Sequence, residues 1–308
     1  MNEIDSAVLD NISMPNRAMA PFLWYGGKGN LTKWVIRHFP SDGVKVYVEP
    51  YAGAASLFWH LKKPYPVEVL NDIDGRIVNL FRVLQDKTKF EELAHRLIWT
   101  PYSRAEFVRA LGIIKDCENA SDIDCAWAFF VSQNQGFGGK AGASGDWGRG
   151  FVASRGMAYT SSKWRGRLKL LTRWHDRLTR VQIDNRDAIE VIKYWDTPET
   201  LFYIDPPYLL STRTSGSQYK HEADDTHHKA LVDTLLSIKG QAVLSGYDSN
   251  MYDPLVDAGW SKHSKTTVAH AAGRTRGSGL QGDGAASDKA SRVEVLWAKT
   301  KRAQSRLL

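Results

Sequence analysis

The sequence predicts a doubly wound, mostly parallel α/β sheet interrupted by a mainly helical insertion. Short β-rich runs alternate with helical patterns in the first third of the chain and again in its last third, the signature of a parallel sheet with crossover helices. Between them, helical patterns run from Lys87 to about Val131, and Trp164, Leu168, Leu171 and Leu178 recur at helical spacing. The charge is also segregated. Ser132–Arg180 carries ten Lys/Arg against two acids, more than the +7 of the whole chain. With 308 residues, 43% of them hydrophobic, there is enough for one sizeable core or a core plus a small subdomain.

Taken in order, residues 1–20 read as an N-terminal tail. Val44–Glu49 is a first strand, ending at Pro50 and a loop of small residues, Ala52-Gly53-Ala54-Ala55, after which a helix is expected over Ser56–Leu61. Val67–Leu70 is a second strand and Ile73–Gln85 a second helix. Further strands are expected at Val181–Asp184, Leu201–Asp205, Gln241–Ser245 and Val293–Ala298, with helices at Ala188–Tyr194 and Thr226–Ser237. The α/β domain therefore comprises 21–85 and 181–300, the insertion 86–180, and 301–308 is a C-terminal tail. Two glycine-rich stretches, 136–150 and 269–291, are long enough to be functional loops. The second, with Arg274 and Arg276, is expected to be mobile without a polyanion and ordered with one.

Composition excludes several classes. Cys117 and Cys125 stand in no metal-ligand pattern and are expected to be reduced, buried thiols. The first twenty residues are acidic and lack an apolar signal region, and the longest apolar run, Cys125–Val131, is far short of a bilayer span of about 20 residues. The expected setting is the cytoplasm, with no membrane and no metal. A sequence pI near 9.2 points to an acidic partner. In the insertion, basic and aromatic residues interleave (Phe137, Lys140, Trp147, Arg149, Arg155), a pattern that suits nucleic-acid phosphates.

Two strand ends carry the chemistry. Gly53 lets backbone approach a ligand closely. Asp72, nineteen residues further on and at the next strand end, stands where a carboxylate meets ribose hydroxyls in a doubly wound sheet; it can equally cap the following helix. The first turn has neither the full dinucleotide glycine pattern nor a phosphate-binding Lys-Ser/Thr, so a nucleoside ligand is favoured over a dinucleotide. Asp205-Pro206-Pro207-Tyr208 follows a strand, and chance would place this tetrapeptide in on the order of one chain per thousand of this length. An exocyclic amine, its lone pair delocalised into an aromatic ring, becomes nucleophilic when acceptors take both of its hydrogens. A carboxylate and a main-chain carbonyl supply them, Pro206 brings no competing N–H, and Tyr208 offers a face for a base drawn out of a duplex. Replacing Asp205 by Asn, which keeps an acceptor oxygen, is expected to be milder than replacing it by Ala.

These residues resemble the Dam-type adenine-specific DNA methyltransferases. Phe22-Leu23-Trp24-Tyr25-Gly26-Gly27-Lys28 looks like the family's N-terminal block beside the methionine part of S-adenosylmethionine, Glu49-Pro50-Tyr51-Ala52-Gly53 like its first-strand block, Asn71-Asp72 like its ribose-binding acid, and Asp205-Pro206-Pro207-Tyr208 like its catalytic block. Asp187 falls where the family meets the cofactor's adenine. Where the family often has Phe and a second Gly, this chain has Tyr51 and Ala55. The resemblance implies a Rossmann-like methyltransferase fold, S-adenosylmethionine as cofactor, double-stranded DNA as substrate, and an inserted DNA-recognition subdomain. Cytosine in DNA, or RNA, is the alternative substrate, although Asp at 205 favours adenine. A DNA-binding module without catalysis would not need the tetrapeptide, and a nicotinamide dehydrogenase fails at the first turn. The recognition sequence, the oligomeric state and the biological setting (restriction, phage or housekeeping methylation) stay open.

Overall fold

The computed structural model describes residues 19–24, 27–29, 31–136, 146–209, 223–268 and 291–300. The chain divides into two compact units. One comprises Lys28–Gly75, Val181–Val268 and the strand that starts at Ser291; the other comprises Arg76–Arg180 with the described residues before Lys28.

The first unit is built on a seven-stranded sheet. Its elements are α1 (Thr32–Ile36), β1 (Val46–Glu49), a 3-10 turn (Phe58–His60) and β2 (Val67–Asn71). After the second unit's α2 (Gly75–Gln85, whose first residue still belongs to the sheet unit), α3 (Lys87–Trp99), α4 (Arg104–Ile114), α5 (Asp122–Gln135), the hairpin β3 (Ala153–Ser154) and β4 (Met157–Ala158), α6 (Tyr159–Leu168) and α7 (Leu171–Leu178), the chain returns to it. There follow β5 (Gln182–Asp184), α8 (Ala188–Trp195), β6 (Thr200–Ile204), α9 (Asp225–Ser237), β7 (Gln241–Tyr247), α10 (Asp253–Asp257), β8 (Ser261–Val268) and β9 (Ser291–Lys299). The strand order is β5-β2-β1-β6-β7-β9-β8. The first five are mutually parallel, β9 runs antiparallel to β7, and β8 antiparallel to β9.

The central strands are buried on both faces, as parallel strands under helices must be; every residue of β6 is buried. Val48, Val69, Phe202, Ile204, Leu231 and Trp297 belong to one continuous core. Because β2 and β5 lie to one side of β1 while β6 and β7 lie to the other, the winding reverses between β1 and β6. That reversal opens a crevice at the strands' carboxyl ends, the place where such sheets bind ligands.

Three expectations are corrected, and one strand was not expected. The helix expected over Ser56–Leu61 is only the 3-10 turn Phe58–His60, because Phe58 gives its N–H to the Glu49 carboxylate at 2.9 Å and Trp59 its indole N–H to Ala54 O at 3.0 Å. The edge strand β8 had no apolar alternation to announce it; its Ser-Lys-His-Ser-Lys-Thr-Thr-Val sequence is extended by its ladder to β9. The single basic helix is two, broken around Lys169-Leu170, with Trp164, Leu168, Leu171, Trp174 and Leu178 buried. Cys117 and Cys125 are joined in a disulfide, their Cα atoms 5.4 Å apart where the chain turns from α4 into α5. Spacing alone could not reveal that reversal. Among the described residues no helix is long and apolar enough to cross a membrane.

Candidate active site

The carboxyl ends of β1, β2, β5, β6 and β7 assemble the site. Beyond β1 the chain turns sharply, with Gly53 at φ +50° and Ala55 at φ +53°, both left-handed. Glycine takes that conformation without steric cost and alanine does not, so the family's glycine at position 55 has a plain reason. Gly53 donates its N–H to Asp72 Oδ2 at 2.7 Å, and Asp74 donates its N–H to Asp72 Oδ1 at 2.9 Å. Burial pushes the Asp72 carboxyl up to about 6, against those two hydrogen bonds. Asn71 binds the neighbouring loops together. Its amide donates to Pro50 O (2.8 Å) and Arg186 O (3.0 Å), and its side-chain oxygen accepts from Arg186 N (2.9 Å). Glu49 is buried, and its Oε1 accepts from the Tyr47 hydroxyl (2.7 Å) and Phe58 N. Burial raises its carboxyl to about 8.

At the end of β6, Asp205 Oδ1 receives the Ser245 hydroxyl at 2.8 Å and lies 3.0 Å from the Lys28 ammonium. Among the described residues both contacts fall on Oδ1, which leaves Oδ2 to accept from a further donor. The two side chains are 5% and 19% exposed, Lys28 the more buried, so the pair is poorly screened by water. Burial works to lower the Lys28 pKa, but the charges of Asp205 and Glu294 outweigh it and raise it above the ordinary lysine value. The same ammonium sits 4.5 Å from the centre of the Tyr208 ring, and the Tyr208 hydroxyl donates to Glu294 Oε2 at 2.9 Å. One face of that ring is thus already taken by a cation, where the sequence had offered it to a base.

Next to this turn, the first turn of α9 holds two histidines. His227 Nε2 is 2.6 Å from the Tyr51 hydroxyl, a contact that the family's Phe could not make. His228, fully buried, reaches the Pro207 carbonyl.

The structure thus brings Lys28, Asp205, Pro206, Pro207 and Tyr208 to one strand end, and Glu49, Pro50, Tyr51, Gly53 and Asp72 to the neighbouring ends. Gly27 donates its N–H to Trp24 O. Trp24 itself belongs to the helical unit, packed against Phe22 and Phe129. Asp187 caps α8 by accepting from Ile189 N and Glu190 N. Tyr25, Gly26, Phe137, Lys140, Arg274 and Arg276 lie outside the described residues, as do most of the two glycine-rich loops and the tails. His228, Ser245, Tyr252 and Glu294 carry no role in the sequence reading. They are ordinary residues on strands and helices far apart in the chain, and only the sheet order gathers them.

The basic segment is less uniform than its composition. Arg149 and Arg155 are exposed, Arg155 in the left-handed first position (φ +54°) of the tight turn joining β3 to β4. Trp147 is half-buried, bridges to Gly136 and packs against Tyr102 at 5.3 Å. Arg167 and Lys169, by contrast, are buried. Arg167 donates to Ala20 O, and burial lowers its pKa to about 10. Among the described residues, no three His, Cys, Asp or Glu side chains gather as a metal site.

The seven-stranded, mostly parallel sheet is consistent with a methyltransferase-type α/β fold. More narrowly, residues 24–268 match the model of the D12 class N6 adenine-specific DNA methyltransferases, and the chain belongs to that family. Membership implies an S-adenosylmethionine-dependent enzyme. The chain is also similar to the type II methyltransferase M.CviBI of Paramecium bursaria Chlorella virus NC1A, with 34% identity over 61 residues. That stretch is 20% of this chain and spans only 23% of the viral enzyme's length.

Proposed function

We propose that the chain methylates the exocyclic N6 of an adenine drawn out of duplex DNA. The observation that carries this reading is the Asp205 carboxylate, paired with Lys28 and held through Oδ1, with Oδ2 uncommitted among the described residues, on the turn that carries the Pro206 and Pro207 carbonyls. Oδ2 and a main-chain carbonyl accept the two amine hydrogens. This localises the nitrogen lone pair and stabilises the positive charge that develops on nitrogen, an electrostatic contribution. The Tyr208 ring supports the extruded base.

The donor set fits S-adenosylmethionine. Asp72, buried at the end of β2 and held by Gly53 and Asp74, suits ribose hydroxyls, and Asp187, at the end of the β5 loop, suits the adenine edge. Lys28 and the turn at Pro50–Gly53 would complete its surroundings. When bound, the cofactor supplies a methyl group made electrophilic by its sulfonium sulfur. The helical unit is the proposed target-recognition subdomain, with Arg149, Arg155 and Trp147 its first DNA contacts. The test is to express the chain in a methylation-free host and sequence the host DNA with base-modification detection. N6-methyladenine in a fixed sequence context is the expected result and gives the recognition site. N4-methylcytosine, or methyl transfer to RNA alone, would overturn the adenine assignment.

A further inference from the structure

We propose that His228 is a positioning residue for the catalytic turn, fixed in one tautomer by Tyr252. The inference rests on the methyltransferase reading above and adds to it. Pro206 and Pro207 have no N–H, so at these two positions the turn can be fixed only through its carbonyls. His228 supplies such a contact, with its Nε2 3.0 Å from Pro207 O. A carbonyl oxygen only accepts, so Nε2 carries the proton. Nδ1 of the neutral ring then accepts from the Tyr252 hydroxyl, 2.8 Å away. Both rings are buried, 0% and 2% exposed, and Tyr252 is wedged against Trp297 at 4.5 Å between ring centres. Tyr252 lies on the 3-10 turn after β7 and His228 on α9, so two separate elements aim one proton at the catalytic turn.

The experiment is single-turnover methylation of duplex DNA by the full chain at saturating S-adenosylmethionine, with cofactor affinity measured in parallel, for wild type, His228→Leu, His228→Gln and Tyr252→Phe. Leucine fills space without a donor, whereas the glutamine amide can reach the same carbonyl as Nε2. His228→Leu is expected to slow transfer about 10-fold, the size of one lost buried hydrogen bond that orients reacting groups, with cofactor affinity within about 2-fold of wild type. His228→Gln should recover most of the rate, and Tyr252→Phe should lose about 3-fold. Wild-type rates in His228→Leu, or equal losses in the Leu and Gln variants, would overturn the proposal. If His228→Leu does not fold, Tyr252→Phe decides, and a wild-type rate there overturns it. Absence of methylation by the wild-type chain is a different failure, because it removes the functional reading and this role with it.

Discussion

At the scale of single residues, the site depends on which atom of a group is already committed. Lys28 and Ser245 both donate to Asp205 Oδ1. Asp205→Ala is expected to reduce the single-turnover rate by about 100-fold or more, the cost of losing one such stabilising group. Asn is not the mild replacement that its acceptor oxygen suggests. The same two donors would hold the amide oxygen at the Oδ1 position and turn the NH2 toward the base amine, donor against donor. Asp205→Asn is therefore expected to fall within about 10-fold of Asp205→Ala, and near-wild-type transfer by Asn would refute this orientation. Asp72 gives a pH prediction. Its carboxyl, raised to about 6 by burial, must be ionised to accept ribose hydroxyls fully. Cofactor affinity should weaken as pH falls below about 6, approaching tenfold per unit, and this slope should vanish in Asp72→Asn. Calorimetry across this range measures it, and a flat wild-type profile would leave Asp72 only as the bridge between Gly53 and Asp74.

At the scale of elements, the basic segment separates into cations that can meet phosphate and cations that cannot. Arg149 and Arg155 are exposed in and beside the β3–β4 hairpin, and each phosphate contact contributes about −0.9 to the slope of log affinity against log salt. Replacing both by Ala should flatten that slope by up to about 1.8. Arg167, on α6, is buried with its guanidinium on a backbone carbonyl. Arg167→Ala should lower the unfolding temperature and leave the slope unchanged. A salt titration of duplex binding with a thermal melt of each variant tests both. An unaltered slope in the double variant would move the DNA contact away from the hairpin. Helical spacing could place Arg167 on α6, but a cation is expected to face water. Its burial follows from how α6 and α7 break and pack, which composition does not encode.

For the whole molecule, stability should depend on a carboxylate buried under the sheet's carboxyl end. The folded state holds the Glu49 carboxyl up at about 8, first because burial penalises its charge, whereas the ordinary value is 4.5. Folding therefore takes up a proton between these values. The contribution is full below the ordinary value and is lost as pH rises through about 8. Denaturant unfolding is expected to show lower stability at about pH 8.5 than at about pH 6.5, where Asp72 is already largely ionised, and Glu49→Gln should remove this fall and leave the opposite change from Lys163, whose pKa burial lowers to about 8. The same change between the two values in the wild type and in Glu49→Gln would contradict this assignment. The alternation of strand and helix, the turn at Gly53, the carboxylate at Asp72 and the Asp-Pro-Pro-Tyr turn were all legible in the chain, because each is a local pattern whose period or residue chemistry works over a few neighbours. The sequence by itself therefore determined the α/β fold class, the family resemblance and which residues stand at the two strand ends. Only the tertiary structure decided that Lys28 meets Asp205 and Tyr208, that Ser245, Glu294, His228 and Tyr252 surround the Asp-Pro-Pro-Tyr turn, that β8 is a strand, and that Cys117 reaches Cys125. Those contacts come from strand order, chain reversals and burial, and they join residues whose separation in sequence carries no signal of their proximity in space.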